Sequence, residues 1–117
     1  MIQNNDKNFV WSKEIDDLFA QGRYLGDIGI KNWALLQEQA LNVIARLELL
    51  GVPILGGDVY YLSGKKLQPA LDNWYINRER QESLSDFVTR SITVSRDYVR
   101  HFRPRSGDVA LFVIIPG

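Results

Sequence analysis

The chain's one histidine, His101, lies in Arg100-His101-Phe102-Arg103. Nucleophilic catalysis needs a nucleophile, a base and a group that orients the base. A base set among arginines would have its pKa lowered. The position also reads as the last turn of a helix, where an imidazole sits well against the C-terminal carbonyls. His101 is therefore read as a surface residue. Cysteine is absent, which removes disulfides, thiolate zinc sites and cysteine nucleophiles together. Asp58 and Asp72 are the carboxylates that a hairpin could bring together, for a hard cation or for acid–base work. The simpler reading makes Asp58 a partner of a backbone bend after two glycines, and Asp72 a turn residue at a strand start. Gly56-Gly57-Asp58 invites comparison with a phosphate loop, but such loops feed a helix N-terminus, and here a strand follows. These patterns point to no enzyme, metal or cofactor.

Two other groupings bear on binding. Trp74 and Tyr75 are neighbours on a predicted strand, so they face opposite ways; one is expected in a core and the other on a second layer or the surface. Tyr60 and Tyr61 pose the same alternative. An exposed aromatic beside charge is what protein-binding patches use. Residues 78–117 carry seven arginines and no lysine, against five acids. Arginine suits bidentate carboxylate or phosphate contacts. A solvated helix face with i, i+3 and i, i+4 pairs is the simpler reading; an RNA-binding patch at Arg100, Arg103 and Arg105 is the sharper one.

The elements that must position these residues follow from periodicity and punctuation. Ser12 caps a first helix with Ile15, Leu18 and Phe19 on one side, ended by Gly22. Arg23 to Lys31 reads as a loop pinned by Tyr24, Leu25, Ile28 and Ile30. A second helix, with Asn32 as a candidate cap, carries Leu36, Ala40, Val43, Ile44 and Leu47 at helical spacing, and Gly51 and Pro53 stop it. Val52 to Leu62 is a strand interrupted by a bulge or sharp bend at Gly56-Gly57. Ser63 to Lys66 is a hairpin turn, and the return strand includes Asp72 to Asn77, with Pro69 marking its beginning as an edge or irregular. Ser83 and Asp86 open a third helix, which Pro104 closes. Val109 to Ile115 is apolar at every position and is expected to be a central strand covered on both faces. The result is an α+β domain: three main helices on a small, mostly antiparallel sheet, in the order α-α-β-β-α-β.

The 117 residues fit one domain spanning 1–117, with 1–8 expected to be a flexible end. Fourteen basic and fourteen acidic side chains give a formal charge of zero, whereas a generic nucleic-acid binder usually has a basic excess. The N-terminus has no basic start followed by an apolar run, so no signal peptide is read, and Met1 suggests a complete chain. The longest apolar run is too short for a bilayer span. A cytoplasmic protein is expected.

Ala40-Leu41-Asn42-Val43-Ile44, the run Leu50-Gly51-Val52-Pro53-Ile54-Leu55-Gly56-Gly57-Asp58-Val59-Tyr60, and Asp72-Asn73-Trp74-Tyr75 together resemble immunity protein 40. This is a family of bacterial polymorphic-toxin systems related to the antidotes of contact-dependent growth inhibition. The resemblance runs from about Ile30 to Phe102. It implies an antidote with no enzyme activity that binds a cognate toxin domain and blocks its active site or its access to target. Many such toxins are nucleases, so a nuclease is the expected partner. The resemblance implies a structural role for Gly56, Gly57, Asn73 and Trp74. The expected contact surface is Asp58, Tyr60, Asp72, Tyr75, Arg78 and Glu79, an acidic face with aromatics beside it. A small adaptor or RNA-binding module using the arginine-rich third helix is the alternative, and a homodimer is left open.

Overall fold

The computed structural model describes residues 13–117. It runs α1 (Lys13–Phe19), β1 (Arg23–Tyr24), β2 (Trp33–Ala34), α2 (Gln37–Leu49), β3 (Ile54–Ser63), β4 (Lys66–Tyr75), α3 (Leu84–His101) and β5 (Val109–Pro116). The Ser12 cap and the flexible first eight residues lie outside the described residues. β1 and β2 form a small antiparallel pair. The larger antiparallel sheet has the order β4-β3-β5, with β3 in the middle. The fold class is α+β, as the sequence pattern predicts.

The helices form where apolar spacing demands a buried face. In α2, Ala40, Val43, Ile44 and Leu47 are buried while the residues between them are mostly exposed. Its start differs from the sequence reading. Leu36 occupies the cap position and donates its N–H to Gln39 Oε1 at 3.0 Å. Asn32 is buried instead, donating Nδ2 to the Ile114 carbonyl at 3.0 Å and accepting the Trp33 N–H at 2.8 Å. In α3, Ser83 Oγ accepts the Asp86 N–H at 3.0 Å, which satisfies one of the unpaired first-turn donors.

Two buried serines of α3 join it to the sheet. Ser91 Oγ accepts the Ile54 N–H and Ser95 Oγ accepts the Trp74 indole N–H, each at 3.0 Å. Both donors would otherwise be buried without a partner, at a cost of about 1–3 kcal/mol each. Two arginines of α3 tie it to other elements. Arg96 reaches Glu48 of α2 at 2.6 Å, and Arg90 reaches Glu82 in the preceding loop at 2.6 Å.

The return strand starts straight from the turn at Lys66 and ends at Tyr75, so it takes in Pro69 but not Ile76 and Asn77. Pro69 is tolerated because pairing alternates from Ser63–Lys66, which closes the turn. At the Tyr60–Pro69 pair the missing N–H would have pointed away from β3. Between Tyr60–Pro69 and Asp58–Asn73 the register slips, so Ala70, Leu71 and Asp72 all fall opposite Val59. The predicted bulge near Gly56-Gly57 is present as a second slip, between Ile54 and Gly56 on the β5 side.

Apolar residues lie on both faces of the sheet. One cluster lies under the helices and includes Val59, Tyr61, Trp74, Phe112 and Ile114. A smaller one holds Leu25, Ala34, Tyr60, Leu111 and Val113, roofed by the segment around β1 and β2. Of the four residues expected to pin that segment, Leu25 is buried and Ile30 packs against the cluster, whereas Tyr24 and Ile28 are about half exposed. β5 is covered on both faces, as its unbroken apolar run requires. It is not central: one edge pairs with β3, and the other meets the chain through the Leu35–Phe112 bridge and the Asn32 side chain.

Candidate functional site

The pleat sorts the sheet's residues into two sets. Gly57, Val59 and Tyr61 point toward the helices, so Asp58 and Tyr60 point the other way. Trp74 is 7% exposed and Tyr75 is 75% exposed. The indole stacks on Tyr98 with ring centroids 4.5 Å apart, and Tyr75 projects from the opposite face. Gly56 pairs with both Tyr75 and Ile115, so one row across three strands offers a tyrosine, a glycine and a half-exposed isoleucine. The next row is Asn73, Asp58 and Val113.

Asp58, Tyr60, Leu71, Asp72 and Asn73 line one shallow hollow of about 220 Å³ at the β4 bulge. Asp58 and Asp72 do not converge into an acid pair. Asp72 shares the parity of Trp74, and its charge adds to burial in raising the Tyr98 phenol above its ordinary range. Asp58 stands on the other face and adds to burial in raising the Tyr60 phenol. No group of three or more potential metal ligands occurs among the described residues. Tyr60 is 8% exposed within the smaller cluster, so its ring has little surface to offer a partner. His101 is exposed on the last turn of α3, with Nδ1 2.9 Å from the Asp97 carbonyl.

Arg78 and Glu79 lie just beyond this surface, in a loop built around Glu82. Arg78 Nε donates to the Glu82 carbonyl at 2.9 Å, and the Glu79 N–H donates to Glu82 Oε1 at 3.0 Å. Arg90 grips the same carboxylate with Nε at 2.7 Å and Nη2 at 2.6 Å, and also donates to the Asn77 carbonyl. The Arg90 hydrogen bonds first, and the Glu79 N–H second, hold the Glu82 carboxyl down at about 2 from an ordinary 4.5. A depressed folded-state pKa stabilises the loop above pH 4.5, and that contribution is lost as pH falls toward about 2. An NMR titration of the Glu82 side-chain carbonyl carbon is expected to place its midpoint near 2 in the native chain. In Arg90→Gln the midpoint should return toward 4.5, and the acid-dependent loss should begin earlier. A native midpoint near 4.5 would remove this clamp.

A surface of exposed aromatic, apolar and acidic side chains on a pleated frame, without convergent catalytic groups, is suited to binding a macromolecule. The sequence profile of the family described as immunity protein 40 matches residues 24–116, which reaches past both ends of the resemblance noted above. The chain belongs to the immunity protein 40 family. No curated protein and no solved structure matches it. Membership makes this a toxin immunity protein, of a kind that generally works by binding rather than by catalysis. The family match spans every element from β2 to β5, so it covers both the aromatic–serine joint and the bulged face. No helix among the described residues is long and apolar enough to cross a membrane.

Leu71 had no signal in the sequence reading. Its position is set by the slip in register, which hydrophobic alternation does not reveal.

Proposed function

We propose that this immunity protein neutralises its cognate toxin in the cytoplasm by occlusion: it binds the toxin domain and covers its active site or its path to target. The proposed partner is a nuclease, whose phosphate-binding site is basic. The proposed contact surface is the uncovered end of the sheet face, with Tyr75 and Asp58 at its centre, Asp72 around the bulge, and Arg78 and Glu79 on the rim. The observation that carries this reading is Tyr75, three-quarters exposed on a strand whose next residue inward is buried. Exposed tyrosines with acids beside them are effective anchors on a cationic partner. Asn73 and the glycines hold the frame on which that contact is built.

Of the arginine patch expected at Arg100, Arg103 and Arg105, Arg105 is engaged in an ion pair with Asp108. Arg90 and Arg96, earlier on the helix, are held in ion pairs to Glu82 and Glu48.

Co-expression with the toxin domain of the neighbouring gene is expected to restore growth and yield a one-to-one complex. Reversing both acids, Asp58→Lys with Asp72→Lys, is expected to raise the Kd at least about tenfold while the circular dichroism spectrum and urea midpoint stay native. Native affinity in the folded double variant would rule this surface out.

A further inference from the structure

Among the described residues, Leu71 is the one non-glycine residue with a positive φ, 64°. In that left-handed region Cβ crowds the carbonyl, so glycine or asparagine is the ordinary occupant. Leu71 is also 91% exposed and belongs to neither hydrophobic cluster. A leucine here thus works against the fold twice, through backbone strain and through apolar surface left in water. Nothing among the described residues repays either.

The surroundings indicate what does. The bulge turns Leu71 outward between Ala70, which packs on the helix-side cluster, and Asp72. Leu71 shares the hollow with Asp58 and Asp72, which approach it from the two faces of the sheet edge, so an apolar tip is set in an acidic surround. Strain held at one exposed residue is characteristic of a contact site. A second copy of this chain is poorly placed to add a strand here, because Pro69 lacks a donor and the bulge breaks the ladder over the next three residues.

We infer that Leu71 is the anchor of the toxin interface. It inserts into an apolar socket on the toxin domain whose rim carries lysine or arginine facing Asp58 and Asp72. This rests on the neutralising role proposed above and adds the residue that determines affinity and the chemistry of the surface it meets. The fold carries a strained leucine because the complex uses it.

The test titrates the toxin domain of the neighbouring gene against the native chain, Leu71→Gly, Leu71→Ala and Leu49→Ala, with urea midpoints and sedimentation of each variant alone. Leu49, 75% exposed, is a solvated leucine in the last turn of α2. Leu71→Gly is expected to keep or raise the urea midpoint yet raise the Kd at least about tenfold. Leu71→Ala should weaken binding likewise, and Leu49→Ala should change nothing. Native affinity in both Leu71 variants, beside tight binding by the native chain, would overturn the anchor and leave the role standing. No binding by the native chain would overturn the role and the anchor together. A native homodimer that Leu71→Gly abolishes would assign the leucine to a second copy and overturn the toxin socket.

Discussion

Trp74→Ala is expected to cost about 3–5 kcal/mol of folding stability, the range for truncating a large buried aromatic. Three losses combine. The indole is 7% exposed, so its removal leaves a cavity under α3. Its stacking on Tyr98, at 4.5 Å, goes with it, and Tyr98 in turn leans on Phe102 at 6.0 Å. Ser95, fully buried, loses the indole N–H that its hydroxyl accepts. A native domain is stable by only about 5–15 kcal/mol, so the change takes a large share of the total. Urea unfolding followed by circular dichroism measures it. A loss under about 1 kcal/mol would mean that Trp74 is not the joint between helix and sheet.

Gly57→Ala is expected to cost about 3 kcal/mol, at the upper end for overpacking a close-packed core. The reason is space and not backbone freedom. A Cβ on Gly57 would lie 2.3 Å from Trp74 Cη2 and 2.3 Å from the Val113 carbonyl oxygen. The first neighbour is the edge of a rigid ring held by Ser95, and the second is the backbone of β5, so neither yields cheaply. The same urea experiment reads the effect. The double variant with Trp74→Ala should fall short of the two losses added together, since half of the clash leaves with the indole. Additive losses would place the whole obstruction at the Val113 carbonyl.

These two residues illustrate what the sequence makes legible. The resemblance implies a structural role for the adjacent glycines and Trp74, and in the structure a Cβ on Gly57 would meet the indole. The opposed faces of Trp74 and Tyr75 follow from the pleat alone, and so does the separation of Tyr60 and Tyr61 into different clusters. α2 and α3 are strongly periodic and are found where their spacing puts them, apart from the start of α2, which is capped at Leu36 and not Asn32.

The misreadings share a cause: each depended on which backbone partner a residue has. An unbroken apolar run reports burial of both faces of β5, and it carries no information about how many edges are paired. Two-residue strands such as β1 and β2 are too short to show alternation, so the segment that roofs the smaller cluster reads only as a loop. The start of β4 is polar and includes a proline, and its pairing is fixed by the turn rather than by its own side chains. The slip that projects Leu71 arises from the same pairing. The predicted contact residues are accordingly dispersed. Asp58 and Tyr75 share a face, Asp72 sits around the bulge, Arg78 and Glu79 belong to the Glu82 loop, and Tyr60 is in the core.

The central claim is that the toxin covers the bulged end of this sheet face. Amide hydrogen exchange of the complex formed with the neighbouring toxin domain, compared with the chain alone, tests it most directly. The account predicts slowed exchange at residues 56–58 and 71–75, with the exposed sides of α2 and α3 unchanged. Protection confined to α2 and α3, with the sheet exchanging as in the free chain, would contradict it.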